Sequence, residues 1–448
     1  MKRTPAHSAM PHRPTAGQLR QVDQRGAATL IVIMILFFVV TLAAAYASRN
    51  LIFEQRTSIN QYQSTKSNEA AEAGLEWALT MLNGGRIDDR CTPTTDATMG
   101  NFRQRYLNYV DSAGSIRPKQ NPSDPMAPLW SACSFDGASW SCSCPQPNGV
   151  LLTTLPTGIA AFGVRFVIQP IKPGIVRIEV NGCNSYDIAC VTGVLPGTTA
   201  ESCQSTVCSL VAQFSALRMP PSAAVTARQS VNGTQLTVFN TDEPSGGLTI
   251  RSGGAVTMLS PALVLGSLPG TPPELSKRAS DAALSSLDAD ADNCTNCLFS
   301  AVFGLRPDTY RNQPAAVVVD CSSACTSSSA GSELGKALAA NRGSIIWLKG
   351  SGGLALSSTA DVVGTTANPV TLVVEGPVSL AAGAKVVGLV YGASVSLSSA
   401  TIQGALVSGS TVTGAGTAQV TYDPAVLANL QKLNGSFVRV PGSWRDFP

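Results

Sequence analysis

The sequence predicts an α+β protein: a long N-terminal helix, an α/β head and a mostly-β, solenoid-like C-terminal region. Three observations predict it. An uncharged run over 27–48 leads into a stretch to residue 83 that holds one Gly, Gly74, and no Pro. Short segments of alternating apolar residues follow between 163 and 218. Beyond about residue 225, Gly, Ser, Val, Ala and Thr dominate and short Val-rich pieces recur.

The helix comes first. Residues 27–48, AATLIVIMILFFVVTLAAAYAS, carry no charge. As a helix they rise roughly 30 Å, the thickness of a bilayer core. Lys2, Arg3, Arg13, Arg20 and Arg25 precede the run, with Asp23 the only acid among them. Basic flanks stay cytoplasmic, which places the body outside. Three readings fit: a plain anchor, a signal peptide cut near Ala45 or Ala47, or a leader cut before the run. Further on, Ile52, Ile59, Tyr62, Ala70, Ala73, Trp77 and Met81 form a stripe at helical spacing, and Gly84-Gly85 stops it. One helix over 27–83 would be roughly 85 Å long.

Charge and histidine exclude function classes. Without residues 1–26 the chain holds 26 basic and 27 acidic residues, a net of −1. There is no basic stripe for nucleic acid. Both histidines, His7 and His12, lie in that tail. Ser-His-Asp or Cys-His catalysis and imidazole-dependent zinc sites are excluded for a form processed there. All 12 cysteines follow the apolar run, as expected of an exported, disulfide-bonded body.

The N-terminal pattern resembles type IV pilins, and more closely PilX-like minor pilins (the PilX N-terminal family). Gln24-Arg25-Gly26 precedes Ala27-Ala28-Thr29-Leu30-Ile31-Val32, and Ala70-Ala71-Glu72-Ala73-Gly74-Leu75 follows some forty residues on. The resemblance covers about residues 20–85. It implies a basic leader, 1–26, that prepilin peptidase cuts between Gly26 and Ala27, methylating the new amino group. It also implies a pilin helix, 27–84, whose Ala28, Leu30, Ile31, Ile35, Phe38 and Leu42 pack in a filament core. The sequence departs from most pilins in starting the mature chain at Ala27 and in having Ile31 where Glu is usual. That Glu neutralises a neighbour's terminal ammonium, so a subunit lacking it fits a place with no pilin stacked above. The implied partners are other minor pilins, the major pilin, the inner-membrane assembly platform, and a tip adhesin or host surface ligand. The implied course runs from single-pass inner-membrane precursor to pilus fibre. A type II secretion pseudopilin of the K class shares these features. An exported or anchored surface adhesin is the other alternative.

The body divides into a cysteine-rich, pilin-like head, 85–224, and a solenoid-like domain, 225–448. Residues 163–169, 174–180 and 209–218 read as strands. Cys183 with Cys190 and Cys203 with Cys208 are spaced to close small loops, whereas Cys142 and Cys144 are too close to pair with each other. Pieces starting at Val378, Val395 and Val412 recur every 17 residues, with Leu354 starting another 24 before the first. Such spacing predicts stacked turns of a β-solenoid, with added rungs from 235–239 and 248–259. A short helix over 281–287 precedes Asp288, Asp290 and Asp292, which resemble the first half of a calcium loop without its closing Glu. Cys294, Cys297, Cys321 and Cys325 have zinc-ribbon-like spacing, although an oxidising compartment favours disulfides. No cofactor is expected otherwise. Trp444 and Phe447 are read as a solenoid cap or a partner contact.

Overall fold

The computed structural model describes residues 25–96, 98–110, 115–122, 124–145, 155–156, 158–168, 174–192, 204–258, 263–287, 297–340 and 345–446. The fold is α+β: a long N-terminal helix, then a mostly-β body. Contacts divide the chain into two units, Met1–Tyr62 and Gln63–Pro448.

The described part of the first unit is helix, within the element Arg25–Leu82. Ile, Val, Leu and Phe dominate residues 30–42, and two threonine hydroxyls of the unit bond back to the helix backbone. Thr41 Oγ1 donates to Phe37 O at 2.9 Å, and Thr57 Oγ1 to Phe53 O at 2.9 Å. Such back-bonding lets a hydroxyl sit on an otherwise apolar helix.

The expected division after residue 84 falls instead within the helix, whose residues 63–82 belong to the second unit. There they lie on an antiparallel six-stranded sheet. Its order is Gly435–Arg439, Gln204–Ser215, Ile175–Cys183, Ala160–Ile168, Ser131–Phe135, Trp140–Ser143. Two-residue alternation turns Phe162, Val164, Phe166, Val176, Ile178, Val180, Val207 and Val211 to one side. They share a core there with Ala71, Leu75, Ala78 and Leu82 of the helix.

The first strand in that order is the last in the chain. The expected C-terminal domain, 225–448, therefore ends before residues 435–439, which return to the head. Trp444 follows that strand and is 44% exposed, while Arg445 pairs with Cys208 of the head sheet. Trp444 thus caps no solenoid, and Phe447 lies outside the described residues.

Between Ser215 and Gly435 the chain forms a parallel β-solenoid. One face stacks Leu354–Leu356, Val378–Ala381, Val395–Ser398, Val412–Ala415, Val231–Gly233 and Val256–Met258 in that order. Val378, Val395 and Val412 are in register, so the 17-residue period is one turn. Leu354 aligns with Val378, so the longer spacing is a turn with an insertion. Val378, Leu380, Val395 and Leu397 point into the core, while Ser379, Ser396 and Thr413 face out. The order is not the chain order. Val231 stacks on Val412, so the earliest rungs extend the stack beyond the latest. Within the paired strands Lys385–Gly392 and Thr401–Ser408, Gly388 pairs with Gly404, at φ of +142° and +133°. A Cβ on Gly404 would lie 2.0 Å from Gly388 O, so only glycine fits there.

Helices Leu298–Phe303 and Pro307–Arg311 bring Phe299, Phe303 and Tyr310 against Trp347 and Tyr391. This aromatic cluster anchors a region otherwise poor in rings. The expected helix over 281–287 is shorter, Ala282–Ser285, with Asp281 accepting from Ala283 N as its cap.

Disulfides join Cys91 to Cys144, Cys133 to Cys142, Cys183 to Cys190, and Cys321 to Cys325. Cys297 is also disulfide-bonded. Zinc needs free thiolates, so the zinc-ribbon reading fails at these three positions. Spacing suggested a Cys203–Cys208 pair, but the Cys208 thiol is free and buried in the sheet opposite Glu179. Cys203, Cys294, Asp288, Asp290 and Asp292 lie outside the described residues.

Candidate functional site

The helix has residues in both units. In the first unit, Arg25, Gly26 and Ala27 lie in the helix's first turn. Beyond it, Leu30, Ile31, Ile35, Phe38 and Leu42 are each more than half exposed, and apolar residues occupy every side. This is the one helix, among the described residues, long and apolar enough to cross a membrane. Ala43, Ala44, Ala45 and Ala47 keep one stretch thin enough for close helix approach.

In the second unit, the segment Ala70 to Leu75 is where helix meets sheet. Ala71, Leu75 and Ala78 are fully or almost fully buried there. Gly74 and Gly182 make the approach possible. A Cβ on Gly74 would meet Val180 Cγ1 at 2.6 Å. A Cβ on Gly182 would meet Ser67 O at 2.0 Å and Ala71 N at 2.4 Å. At Gly182 backbone therefore meets backbone, and at Gly74 the helix rests on the side chains of Val180 and Phe162, which local helical spacing does not reveal.

The end of the helix is fastened by two residues that sequence reasoning missed. Asn83 Oδ1 accepts from Phe437 N at 2.8 Å, and its Nδ2 donates to Phe437 O at 2.9 Å. The amide thus acts as a strand partner on the edge of the sheet and blocks pairing by another chain. Arg103 is buried and donates three bonds: to Leu82 O at 2.8 Å, Gly435 O at 2.7 Å and Leu433 O at 3.2 Å. Leu82 and Leu433 end helices, so the guanidinium meets orphan carbonyls at two negative helix ends. Its ring-like plane lies 5.2 Å from the Phe437 centroid. Burial pulls the Arg103 guanidinium below its usual range. In the sequence Arg103 looks like any solvated charge. Only the capping pair Asn101 and Gln104 beside it hints at a fixed local turn.

Elsewhere, a cavity of about 300 Å³ opens by Phe299, Trp347, Tyr391 and Glu375. Its carboxylate is already engaged. Glu375 accepts from Trp347 Nε1 at 2.8 Å, Gly350 N at 2.8 Å and Arg311 Nη1 at 3.1 Å. No group of three or more metal-ligating side chains occurs among the described residues.

No family model matches this chain, and no curated protein does. Among solved structures it is similar to the competence-associated pilin ComZ from Thermus thermophilus. The identity is 11%, over 86% of this chain and 97% of that one, with a TM-score of 0.22. A TM-score of that size establishes no common fold.

Proposed function

We propose that this chain is a minor pilin of a type IV pilus, PilX-like, that helps prime assembly and sits at or near the tip. The carrying observation is a single helix whose first part is apolar on every side and whose later part sits on an antiparallel sheet through Ala71, Gly74 and Gly182. An apolar helix gains little hydrophobic energy on leaving lipid for a helix bundle, so close packing has to guide it. Ala43, Ala44, Ala45 and Ala47 suit that approach.

On this reading prepilin peptidase removes 1–26, and methylated Ala27 becomes the mature start. A buried charge without a partner is costly. Ile31 supplies no carboxylate to a subunit above, which favours a terminal position. The body, with its solenoid outward, contacts a surface or another tip protein. The role is assembly and display, not catalysis.

The test is deletion of the chain in its native cell. Loss of pili and twitching with protein secretion intact is the expected result. Loss of secretion with pili intact would assign the chain to the K class of secretion pseudopilins. Loss of surface attachment alone would assign it to the anchored adhesins.

A further inference from the structure

We infer that residues 216–434 are a self-contained display module, inserted in a head that closes without them. Assembly and outward display are then carried by separable parts of one chain. The second half of this inference rests on the pilin reading; the first does not.

The junction is the first observation. Gly435 pairs directly with Ser215 across two antiparallel neighbouring strands. One residue further, Ala216 N donates to Asn434 O at 3.1 Å. The module therefore leaves and re-enters the head at one point, where a two-residue turn would join the strands as an ordinary hairpin.

The second observation is that the cores are separate. The head core holds Phe437 and residues from Ala71 to Val211. The module core runs from Ala216 to Leu430. No residue is common to both. The four disulfides between described cysteines respect the same division: three lie in the head and Cys321–Cys325 in the module.

Among the described residues, hydrogen bonds cross the boundary, and helix Pro424–Leu433 lies beside the strand Gln204–Ser215. Arg86 N donates to Ala340 O at 3.0 Å, and Gln104 Nε2 to Asn368 Oδ1 at 3.0 Å. Ala315 N donates to Ser436 Oγ at 3.0 Å. Water can replace such bonds when the surfaces part, as it cannot replace a shared apolar core.

The returning strand is held by the head itself. Asn83 pairs with Phe437, and Arg103 bonds Gly435 O and Leu82 O. Excision removes only the Arg103 bond to Leu433 O from this set. A continuous chain with the strand at its C-terminus thus still has its lock.

The experiment replaces residues 216–434 by Asn-Gly in the otherwise complete chain. Three readouts follow: the disulfide map by mass spectrometry, resistance to trypsin, and presence in sheared filaments from cells lacking the native chain. The expected result is Cys91–Cys144, Cys133–Cys142 and Cys183–Cys190 intact, a trypsin-resistant head, and filament incorporation at the level of the full chain. Scrambled disulfides with rapid digestion would overturn the inference, as would a folded head left out of filaments that accept the full chain. If neither form enters filaments while the head folds, the separable fold is supported and the pilus reading falls. A second variant carries protease sites after Ser215 and after Asn434 in the full chain. Cleavage should release a trypsin-resistant module with Cys321–Cys325 bonded; a module that is digested at once would overturn the inference independently.

Discussion

Gly182→Ala tests the seat of the helix most sharply. The added Cβ would stand 2.0 Å from Ser67 O and 2.4 Å from Ala71 N, where ordinary contact begins at 3.4 Å. Both obstacles are backbone, so no side chain can swing aside. The helix must back away by about 1.4 Å, the shortfall at Ser67 O. A gap of about 0.5–1 Å already forfeits a quarter to a half of each dispersion contact. The contacts at risk belong to Ala71, Leu75 and Ala78, all buried against the sheet. Overpacking alone costs about 1–3 kcal/mol. With the lost contacts the expected destabilisation is about 3–5 kcal/mol. The assay is urea unfolding of the detergent-solubilised full chain, followed by tryptophan fluorescence, to which Trp77 beside the seat contributes. Gly331→Ala is the control, because a Cβ there meets nothing within 4 Å. It should stay within about 0.5 kcal/mol of the parent. Equal stability of the two variants would refute the close-approach argument.

Three further outcomes are expected. Arg103→Ala strands carbonyls at two helix ends and should cost about 3–5 kcal/mol in the same assay, with Arg103→Lys recovering part because an ammonium reaches fewer of them; a loss below about 1 kcal/mol would show the bonds to be incidental. Burial, with Glu179 nearby, pushes the Cys208 thiol up to about 11. At pH 8 roughly one such thiol in a thousand is ionised, so iodoacetamide should label Cys208 only after unfolding; rapid labelling of the native chain would contradict its buried place. Burial raises the Asp361 carboxyl, but the N–H and O–H of Ser328 and the N–H groups of Ser357 and Ser358 outweigh it and leave the group below 3.8. Burial likewise raises Asp281, and the Arg251 bond outweighs it. Both contributions to stability are full above 3.8 and are lost as pH falls below it through the lowered values. The urea midpoint should therefore drop below pH 3.8, and less steeply in Asp361→Asn; an unchanged slope would rule out this linkage.

How much was legible depended on whether the signal was local. Helical spacing from Ile52 to Met81 and the 17-residue return of Val378, Val395 and Val412 announced the helix and the stacked turns, because both repeats are written along the chain. Strand pairing between distant segments has no such record. Nothing near Gly435 says that it meets Ser215, or near Val231 that it meets Val412. The role of Arg103 was hidden for the same reason, since its acceptors are contributed by Leu82, Leu433 and Gly435. Cys203 and Cys208 misled because short spacing permits a loop but does not require one. The strand Gln204–Ser215 instead places the Cys208 side chain opposite Glu179 in the sheet. Ala70 to Leu75 was visible as a motif, and its cause became clear only beside Gly182.

The central claim is that this helix is a pilin helix, cut before its apolar run. The direct measurement is the N-terminus of the mature chain, purified from membranes or sheared filaments and read by mass spectrometry. The predicted result is N-methylated Ala27. A start near residues 46–48 would mark a signal peptide, and an intact Met1 a plain anchor; either would contradict the claim.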